Sequence, residues 1–392
     1  QFFLLTHAHA DHLKGLDSGG FSGHTIYCSE ITKELIKQNP KYNKNLTSMK
    51  TLEENERHKT KYKDQWVFLT LIPARHCPGA VMFLIENDKS AVLLTGDIRA
   101  ESDWVDSLPK NDILFDYMTS SKQLDNIYLD TTYGYRGEPF IEMNSNSFGL
   151  QSLVELLKLY PQDDDDISFY FADSTIGYEE VWIQMVKNGH LMHVPPDLNK
   201  RLKMLSTYKD YQYHKRIHKI ASSSPHSKFH CCGIKPENCS GKPAKFPVRI
   251  KHCIDINIKD LMRLTLPLSL KNHKHEAEFV EELPSGAQIY KINDLKYLKP
   301  SNSEHLLRNE LRFFFSRHSS YEECRHFVSM FNVKQVFPLT ESPITWEQGF
   351  QMKRQFGDLC TSEEFLYDSI YSKKYGSPPL NLNQPFIVNK WN

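Results

Sequence analysis

Short apolar runs alternate with polar loops along most of the chain, a pattern that predicts an α/β protein. Runs of this length that are rich in β-branched and aromatic residues and bounded by turn residues are typical of buried strands. The runs lie at residues 2–5, 26–28, 65–73, 80–86, 91–95, 124–129 and 311–315. We expect each of them to form a strand.

Helical patterns lie between these runs. Ser29 is placed to cap a helix that carries Ile31, Leu35 and Ile36, and the segment GLQSLVELLKLY after Phe148 has helical spacing over three turns. Ser320 is placed to cap a further helix. The charged stretch 53–63 predicts a hairpin or a loop, and the chain from Thr361 is expected to be weakly ordered.

Metal-binding residue types stand where several of the predicted strands end. The string THAHADH directly follows the first strand and holds three histidines and Asp11 within six residues. His76, Asp97 and Asp130 each follow a later strand, and His318 follows the strand at 311–315. Because α/β proteins place ligands at the carboxyl ends of strands, this repetition predicts a metal site.

The spacing of these residues divides them into two sets. His7 and His9 can converge on one ion with His76, while Asp11 and His12 are displaced toward a second ion with His318. Asp97 is then positioned to bridge the two. Imidazole and carboxylate are ligands of zinc and its neighbours. The alternative is a surface loop that is merely rich in histidine, which the preceding strand makes less favourable.

The composition is that of an ordinary globular protein, and its balanced charge does not indicate a binding partner. The 392 residues are 40% hydrophobic and carry 48 Lys and Arg against 48 Asp and Glu, so any nucleic-acid surface has to be a local patch. Candidate patches are Lys215–Arg216 and Lys245–Arg249, each with a solvated surface as the alternative. No run approaches the ~20 apolar residues of a membrane span, and no signal peptide is recognisable.

The eight cysteines are too few for a disulfide framework in a chain of this length, which suits a reducing compartment. His230, Cys231, Cys232 and Cys239 lie within ten residues and supply most of a structural zinc site, with a further ligand needed from elsewhere. The alternative is a set of free thiols beside a surface histidine. The chain also opens inside a predicted strand, so we expect that preceding strands are missing.

The order of these segments resembles the metallo-β-lactamase fold in its DNA-processing β-CASP branch, the family of interstrand-crosslink-repair and end-processing nucleases. The resemblance extends from Phe2 to about Thr340. CSEITKELIKQNPKY, STIGYEE and HCCG are similar to the Artemis-like members. The segments that carry the resemblance are THAHADH (6–12), HCPGAVMFL (76–84), LLTGDIRA (93–100), YLDTTYG (128–134) and RHSSY (317–321).

The resemblance implies an αββα sandwich into which a β-CASP domain is inserted. The expected divisions are residues 1–141 for the first part of the metallo-β-lactamase domain, 142–283 for the insertion, 284–360 for the second part and 361–392 for a C-terminal tail. The supporting aspartate that the family carries on an earlier strand would precede Gln1.

The resemblance also implies roles for individual residues. The metal ligands are then His7, His9, Asp11, His12, His76, Asp97 and His318, and the catalytic residues are Asp11, Asp130 and His318. Asp130 is expected to orient ligand histidines or water. Ser319 and Ser320 are candidates for donating to a phosphate, with helix capping as the alternative, and Lys215 with Arg216 for contacting DNA.

A second zinc is implied by Artemis-like members, with His193 joining His230, Cys232 and Cys239. His226 or Cys231 are alternative ligands, and His230 is alternatively the histidine that protonates the leaving oxygen.

The activity implied is that of a nuclear, metal-dependent DNA nuclease, a 5′-exonuclease, a structure-specific endonuclease or both, in crosslink repair or double-strand-break end joining. The cofactor is then Zn²⁺, one or two ions in the active site, with Mg²⁺ or Mn²⁺ able to substitute. Its partners would be single-stranded ends, hairpins or crosslinked DNA and DNA-repair proteins, with no membrane. The alternatives are an RNA-processing endonuclease and a catalytically silent scaffold; the complete ligand set argues against the scaffold. A small-molecule hydrolase is disfavoured by the YLDTTYG segment and the long insertion.

Overall fold

The computed structural model describes residues 1–18, 20–134, 139–208, 220–222, 227–233, 244–254, 258–341 and 343–378. The strands in these ranges are β1 (Phe2–Leu4), β2 (Thr25–Cys28), β3 (Met49–Thr51), β4 (Arg57–Tyr62), β5 (Gln65–Pro73), β6 (Val81–Glu86), β7 (Ala91–Leu94), β8 (Leu124–Leu129), β9 (Ile167–Phe171), β10 (Met192–His193), β11 (Ala221–Ser222), β12 (Phe229–His230), β13 (Phe246–Cys253), β14 (Leu268–Ser269), β15 (Glu278–Glu282), β16 (Gln288–Ile292), β17 (Leu295–Lys299), β18 (His305–Arg308), β19 (Glu310–Phe314) and β20 (Val333–Pro338).

Helices in the same ranges are α1 (Glu30–Lys37), α2 (Ser102–Val105), α3 (Asp112–Met118), α4 (Asn146–Leu157), α5 (Glu179–Lys187), α6 (Pro196–Leu205), α7 (Ile258–Thr265), α8 (Tyr321–Ser329), α9 (Pro343–Glu347), α10 (Met352–Phe356) and α11 (Leu366–Tyr375). Short 3₁₀ helices cover Pro40–Ser48, Leu108–Lys110, Leu270–His273 and Gly357–Leu359. The protein is therefore of mixed α/β class, as the hydrophobic pattern predicts. No helix among the described residues is long and apolar enough to span a membrane.

The chain forms two compact units. The first unit consists of residues 1–143 and the chain from Arg317 onwards, and the second of residues 144–316. The second unit extends beyond the expected boundary at residue 283. The difference has a physical reason, because β16, β17 and β18 form an antiparallel meander, and β19 then pairs in parallel with β13.

Two sheets make up the first unit. β1, β2 and β3 form a parallel sheet, and the second sheet has the order β20-β8-β7-β6-β5-β4. In the second sheet β8 pairs in parallel with both β20 and β7, whereas β4 to β7 are antiparallel. The part of β5 from Leu69 to Ile72 and nearly all of β6 are buried, which fits strands that are covered on both faces there.

The six-stranded sheet of the first unit has an apolar core on each face. On one face Leu69, Leu71 and Phe83 pack with Tyr27 of the three-stranded sheet. On the other face its strands pack against α2, α3, α8, α10 and α11. The residues of this second core include Ile72, Leu84, Leu93, Ile127, Val336, Val105, Leu114, Phe327, Phe356 and Tyr367. Burial of this apolar surface holds the strand ends, and the loops that follow them, in place.

The second unit contains a six-stranded parallel sheet and an antiparallel sheet. The parallel sheet has the order β11-β10-β12-β9-β13-β19, and the antiparallel sheet has the order β14-β18-β17-β16-β15. β9, which is buried at every position, lies near the middle of the parallel sheet, where Phe169 stacks on Phe229 of β12 with ring centroids 4.8 Å apart.

One expectation from the sequence is confirmed and another is modified. The charged stretch 53–63 holds β4, which pairs with β5 as a hairpin. The chain after Thr361 is more ordered than expected, since it contains α11, whose Tyr367 is 4% exposed and stacks on Tyr371. The Asp368 carboxylate also accepts hydrogen bonds from two backbone N–H groups at the start of α10. Residues 379–392 lie outside the described ranges.

Gly149 in α4 gives a test of packing within the second unit. A Cβ atom at this position would lie 1.8 Å from the carbonyl oxygen of Phe314. We therefore expect Gly149→Ala to lower the free energy of unfolding by about 3 kcal/mol, although glycine to alanine inside an ordinary helix raises it by about 1 kcal/mol. Urea unfolding followed by circular dichroism measures the difference. Gln151→Ala, at an exposed position of the same helix, is the control. A stabilised Gly149→Ala would contradict the packing described.

Candidate metal centre

Three imidazoles of the first unit converge with a carboxylate at the ends of separate strands. His7 and His9 follow β1, His76 follows β5 and Asp97 follows β7. The His9 Nδ1 atom lies 3.1 Å from Nε2 of His7 and 3.0 Å from Nε2 of His76. The Asp97 Oδ2 atom is 3.5 Å from each of those two Nε2 atoms. These four residues form one group that can hold a metal ion.

Close packing between two loops positions this group. The carbonyl of Thr6 accepts a hydrogen bond from the N–H of Val81, which ties the loop after β1 to β6. Gly96 has a φ of 57°, and a Cβ atom there would lie 2.7 Å from the Thr6 side chain. Only glycine lets the Asp97 loop approach this closely in a left-handed conformation.

The tautomer of His76 is set by a backbone carbonyl. Its Nδ1 atom lies 2.8 Å from the carbonyl oxygen of Arg317, so Nδ1 carries the hydrogen and donates it. The lone pair of Nε2 is then free and directed toward His9. A second hydrogen bond of this kind is the usual means of orienting a metal-binding histidine.

Burial keeps two of the three imidazoles neutral. Burial lowers the pKa of His7 far below its ordinary value, and the neighbouring His12 and His9 lower it further. Burial and the nearby His318 act in the same direction on the pKa of His76. Neutral imidazole is the form that binds a metal, so both rings are in the required state at neutral pH.

His12 contacts the same carboxylate from the other side. Its Nε2 atom is 3.2 Å from Oδ2 of Asp97 and 3.7 Å from Oδ2 of Asp11. Burial, the largest single effect, lowers the pKa of His12, but the hydrogen bond to Asp97 and the charges of Asp97, Asp11 and Asp130 together outweigh it, and the pKa is raised. The Asp11 side chain is 69% exposed. His12 therefore contacts the carboxylate that also faces His7 and His76, and its place in a second ligand set with Asp11 and His318 stays a prediction.

A second group shares Asp97 with the first. Asp97, Asp130 and His318 have ligand atoms close enough to hold an ion. The Asp130 Oδ2 atom is 2.8 Å from Nδ1 of His318 and accepts from the N–H of Ile98, while Oδ1 accepts two hydrogen bonds from Thr132. Asp130 is 1% exposed. It thus fixes the orientation of the His318 ring.

The pair of Asp130 and His318 is electrostatically coupled. Burial raises the pKa of Asp130, yet the charge of His318 and the hydrogen bonds outweigh burial and the pKa is lowered. Burial lowers the pKa of His318, and the carboxylate of Asp130 more than reverses this. The carboxylate is therefore ionised at neutral pH, the form that accepts the Nδ1 hydrogen.

The donor atoms fit a divalent metal of the zinc class. Nitrogens at 2.0–2.1 Å from a zinc ion lie roughly 3.3 Å apart in a tetrahedral site. The separations of 3.0 and 3.1 Å among His7, His9 and His76 are close to this value. Nitrogen and carboxylate donors with one shared carboxylate suit two adjacent ions.

A buried arginine that the sequence analysis missed clamps the His318 loop. Arg99 is 1% exposed, and its Nη1 atom donates to the carbonyl of His318 at 3.0 Å and lies 2.9 Å from Oε2 of Glu323. Its other Nη atom faces Glu101 at 3.5 Å. The clue in the sequence is an arginine between two apolar residues, Ile98 and Ala100, immediately after a ligand aspartate.

The hydroxyls of Ser319 and Ser320 both make hydrogen bonds within the protein. Ser319 Oγ accepts from the N–H of Ala100 and donates to the carbonyl of Ile98, and it is buried. Ser320 caps α8 in a capping box with Glu323. Because both hydroxyls are occupied by the protein, the structure replaces their candidate role in phosphate binding with a structural one.

The second histidine and cysteine cluster, in the second unit, is assembled only in part. His193 and His230 are register partners on β10 and β12, with ring centroids 5.5 Å apart. Burial and then His193 lower the pKa of His230 to about 4. Cys232 is disulfide-bonded, and the zinc site stays a prediction. Cys231 is a free, buried thiol. Cys239, His226, Lys215 and Arg216 lie outside the described residues.

Comparisons with known proteins add to this geometry. No family model matches the chain. The chain is 25% identical over 352 residues to the protein Artemis of Gallus gallus, covering 86% of this chain and 44% of that protein. It is 33% identical over 173 residues to the 5′ exonuclease Apollo of Mus musculus, covering 43% of this chain and 29% of that protein. A solved structure of a protein of unknown function from Enterococcus faecalis V583 has a TM-score of 0.49 at 14% identity, covering 86% of this chain and 74% of that one.

The matches to Artemis and Apollo confirm the resemblance that the motifs indicated. The chain spans less than half the length of these relatives.

The clamp around Arg99 gives a test of how the centre is held together. We expect Arg99→Met to lower the free energy of unfolding by about 3 kcal/mol, because the largely buried Glu323 carboxylate loses its charge partner, whereas Glu101 keeps its ion pair with Arg75. It should also weaken metal retention, because the carbonyl of His318 loses its donor. Urea unfolding and a competitive chelator titration measure the two effects.

The control for this test is Lys334→Met, which removes an exposed ion pair with Asp125 and should cost no more than about 1 kcal/mol. Arg99→Lys keeps the charge and should fall between the two. An Arg99→Met protein that unfolds and retains metal like the control would contradict the clamp.

Proposed function

We propose that this chain, a relative of the Artemis and Apollo proteins, is a metal-dependent DNA nuclease that hydrolyses phosphodiester bonds. The observation that carries the proposal is the pair of ligand groups that share Asp97. Sites with two adjacent metals are typical of phosphodiester hydrolysis, in which both the attacking and the leaving oxygen need stabilisation.

The fold of the first unit supports assignment to the metallo-β-lactamase class. Its two sheets pack face to face and helices cover the outer face of the larger sheet, which is consistent with an αββα sandwich. The chain leaves this unit at Met143 and returns at Arg317, as expected for an inserted domain. We assign the second unit, residues 144–316, to the β-CASP domain.

Different residues of the first unit would hold each of the two metal ions. His7, His9 and His76 would hold one ion, and Asp97, which both groups share, would bridge it to a second ion held by His318. His12, which contacts Asp97, and Asp11 at the solvent side complete the set predicted for the second ion. We take the ions to be zinc, with Mg²⁺ or Mn²⁺ as possible substitutes. Bound ions supply Lewis-acid stabilisation of the phosphate and a reactive nucleophile from water at neutral pH.

Positioning of these ligands falls to groups that do not touch the substrate. Asp130 holds the Nδ1 hydrogen of His318, and the carbonyl of Arg317 holds the Nδ1 hydrogen of His76. The two rings therefore present Nε2 without rearrangement. Preorganised ligands of this kind avoid a reorganisation cost during the reaction.

DNA is favoured over RNA as the substrate by the similarity to Apollo, a 5′ exonuclease, and to Artemis. The same similarity supports a role in DNA repair, in crosslink repair or end joining, and therefore a nuclear location and association with repair proteins.

Cleavage of labelled nucleic acids by the purified protein tests the proposal. We expect cleavage of 5′-labelled single-stranded or hairpin DNA, and a loss of more than about a hundredfold in Asp97→Asn, because metal stabilisation is worth several kcal/mol. Asp88→Asn, the same change in the exposed turn between β6 and β7, is the control and should retain activity.

Matched RNA distinguishes the alternatives. Cleavage of RNA with DNA spared would assign the chain to RNA processing. A protein that retains metal and cuts neither nucleic acid would contradict nuclease activity and favour a scaffold.

A further inference from the structure

One face of the β4–β5 hairpin carries a row of cations and aromatic rings. In the antiparallel register Lys59 lies opposite Phe68, Lys61 lies opposite Trp66 and Arg57 lies opposite Thr70. Residues directly opposite each other share a face, and every second residue along a strand does so too. Arg57, Lys59, Lys61, Trp66 and Phe68 thus form one surface, the cation–aromatic ladder.

The side chains of the ladder are stacked on one another. The Lys59 ammonium lies 4.5 Å from the centre of the Trp66 ring, and the Arg57 guanidinium lies 4.6 Å from the centre of the Phe68 ring. Trp66 nevertheless remains 57% exposed. The contacts hold the ring in place while much of its surface stays open to solvent.

Packing of the core does not account for this ladder. Val67 and Leu69, on the opposite face of β5, are the buried residues of this part of the strand. The helical core on the ladder side includes Ile72 of the same strand but neither Trp66 nor Phe68. Lysines on an edge strand such as β4 discourage edge-to-edge aggregation of sheets. An exposed tryptophan beside them has the opposite effect, so protection against aggregation does not explain the ladder.

The β4–β5 hairpin, residues 57–73, is itself positively charged, although Glu53, Glu54 and Glu56 directly precede it. Residues 57–66 contain three lysines and Arg57 against a single carboxylate, Asp64. Arg57 pairs with Glu86 at 3.1 Å. Lys59, Lys61 and Lys63 make no ion pair within the described part of the chain. Lys245 in the patch Lys245–Arg249, by contrast, pairs with Glu281 and Asp166.

We propose that the cation–aromatic ladder binds a single-stranded segment of the DNA substrate. Free ammonium groups complement phosphates, and an exposed indole ring offers a surface on which an unpaired base can stack. A base within a duplex cannot stack on a side chain in this way, which favours single-stranded DNA. This proposal deepens the proposed nuclease function and rests on it.

The ladder lies at the far end of β5 from the metal centre. Trp66 is at the start of the strand, and the loop that holds His76 follows its end at Pro73. At about 3.3 Å per residue the strand is roughly 26 Å long. The ladder would therefore contact DNA several nucleotides from the bond that is cut, and a substrate of two or three nucleotides at the metals would not reach it.

Binding of labelled oligonucleotides to charge-reversed variants tests the ladder separately from catalysis. Anisotropy of a long single strand is measured against salt, in an Asp97→Asn background that prevents cleavage. We expect Lys59→Glu to weaken binding at least tenfold at low salt and to reduce the slope of log affinity against log salt by about 0.7, the value for one phosphate contact. Lys296→Glu, the same change at an exposed strand position of β17, is the control.

Stacking is tested by Trp66→Ala, which should weaken binding roughly tenfold, while Trp66→Phe restores most of the affinity. In the otherwise native enzyme, Lys59→Glu should raise KM for a long strand and leave cleavage of a trinucleotide unchanged.

The outcomes separate this proposal from the proposed function. A protein that cuts DNA but binds long strands equally well with and without Lys59→Glu would overturn the ladder and leave the nuclease intact. Ladder-dependent binding in a protein that cuts nothing would support the ladder and overturn the nuclease. Competition by polyglutamate as strong as that by DNA would also overturn the proposal, because it would indicate an acidic protein partner.

Discussion

The carboxylate of Asp97 is the group on which the rest of the centre depends. Its Oδ2 atom lies within 3.5 Å of nitrogens from His7, His12 and His76, and it belongs to both groups that can hold an ion. Several imidazoles packed this tightly repel one another when protonated. Burial, a shared anion and neutral tautomers together make the arrangement possible. Such a cluster can bind metal ions without rearrangement only if the fold holds its side chains in place.

Hydrogen bonds hold His318 beside the other ligand residues. His318 is the second residue after the segment 144–316. Residues close to it in sequence therefore do not by themselves determine its position beside the other histidines. Arg99, Ser319 and Asp130 fix it by bonds to the segment that directly follows Asp97. The residues that directly follow Asp97 thus also hold His318, which is distant from them along the chain. This explains why a buried arginine lies so close to the metal centre.

Most residues of the metal centre could be predicted from the sequence. An apolar run followed by histidine or aspartate indicates a strand that ends at a ligand residue. His7, His9, His76 and Asp97 come together as their spacing predicts. What the sequence could not supply depends on partners distant along the chain. The buried hydrogen bonds of Ser319 involve residues more than two hundred positions away, and the boundary at Arg317 follows from parallel pairing of β19 with β13. The stacking of Lys59 on Trp66 likewise depends on hairpin register.

Counting the metal ions bound by ligand variants tests the central claim, that one carboxylate serves both groups. Titration of the metal-free protein with Co²⁺ gives the number of ions bound at the centre from the ligand-field absorption. A carboxylate shared by both groups predicts that His9→Ala loses the ion of the first group, that His318→Ala loses that of the second, and that Asp97→Ala loses both. An Asp97→Ala protein that still binds one ion with the affinity of the native protein would contradict it.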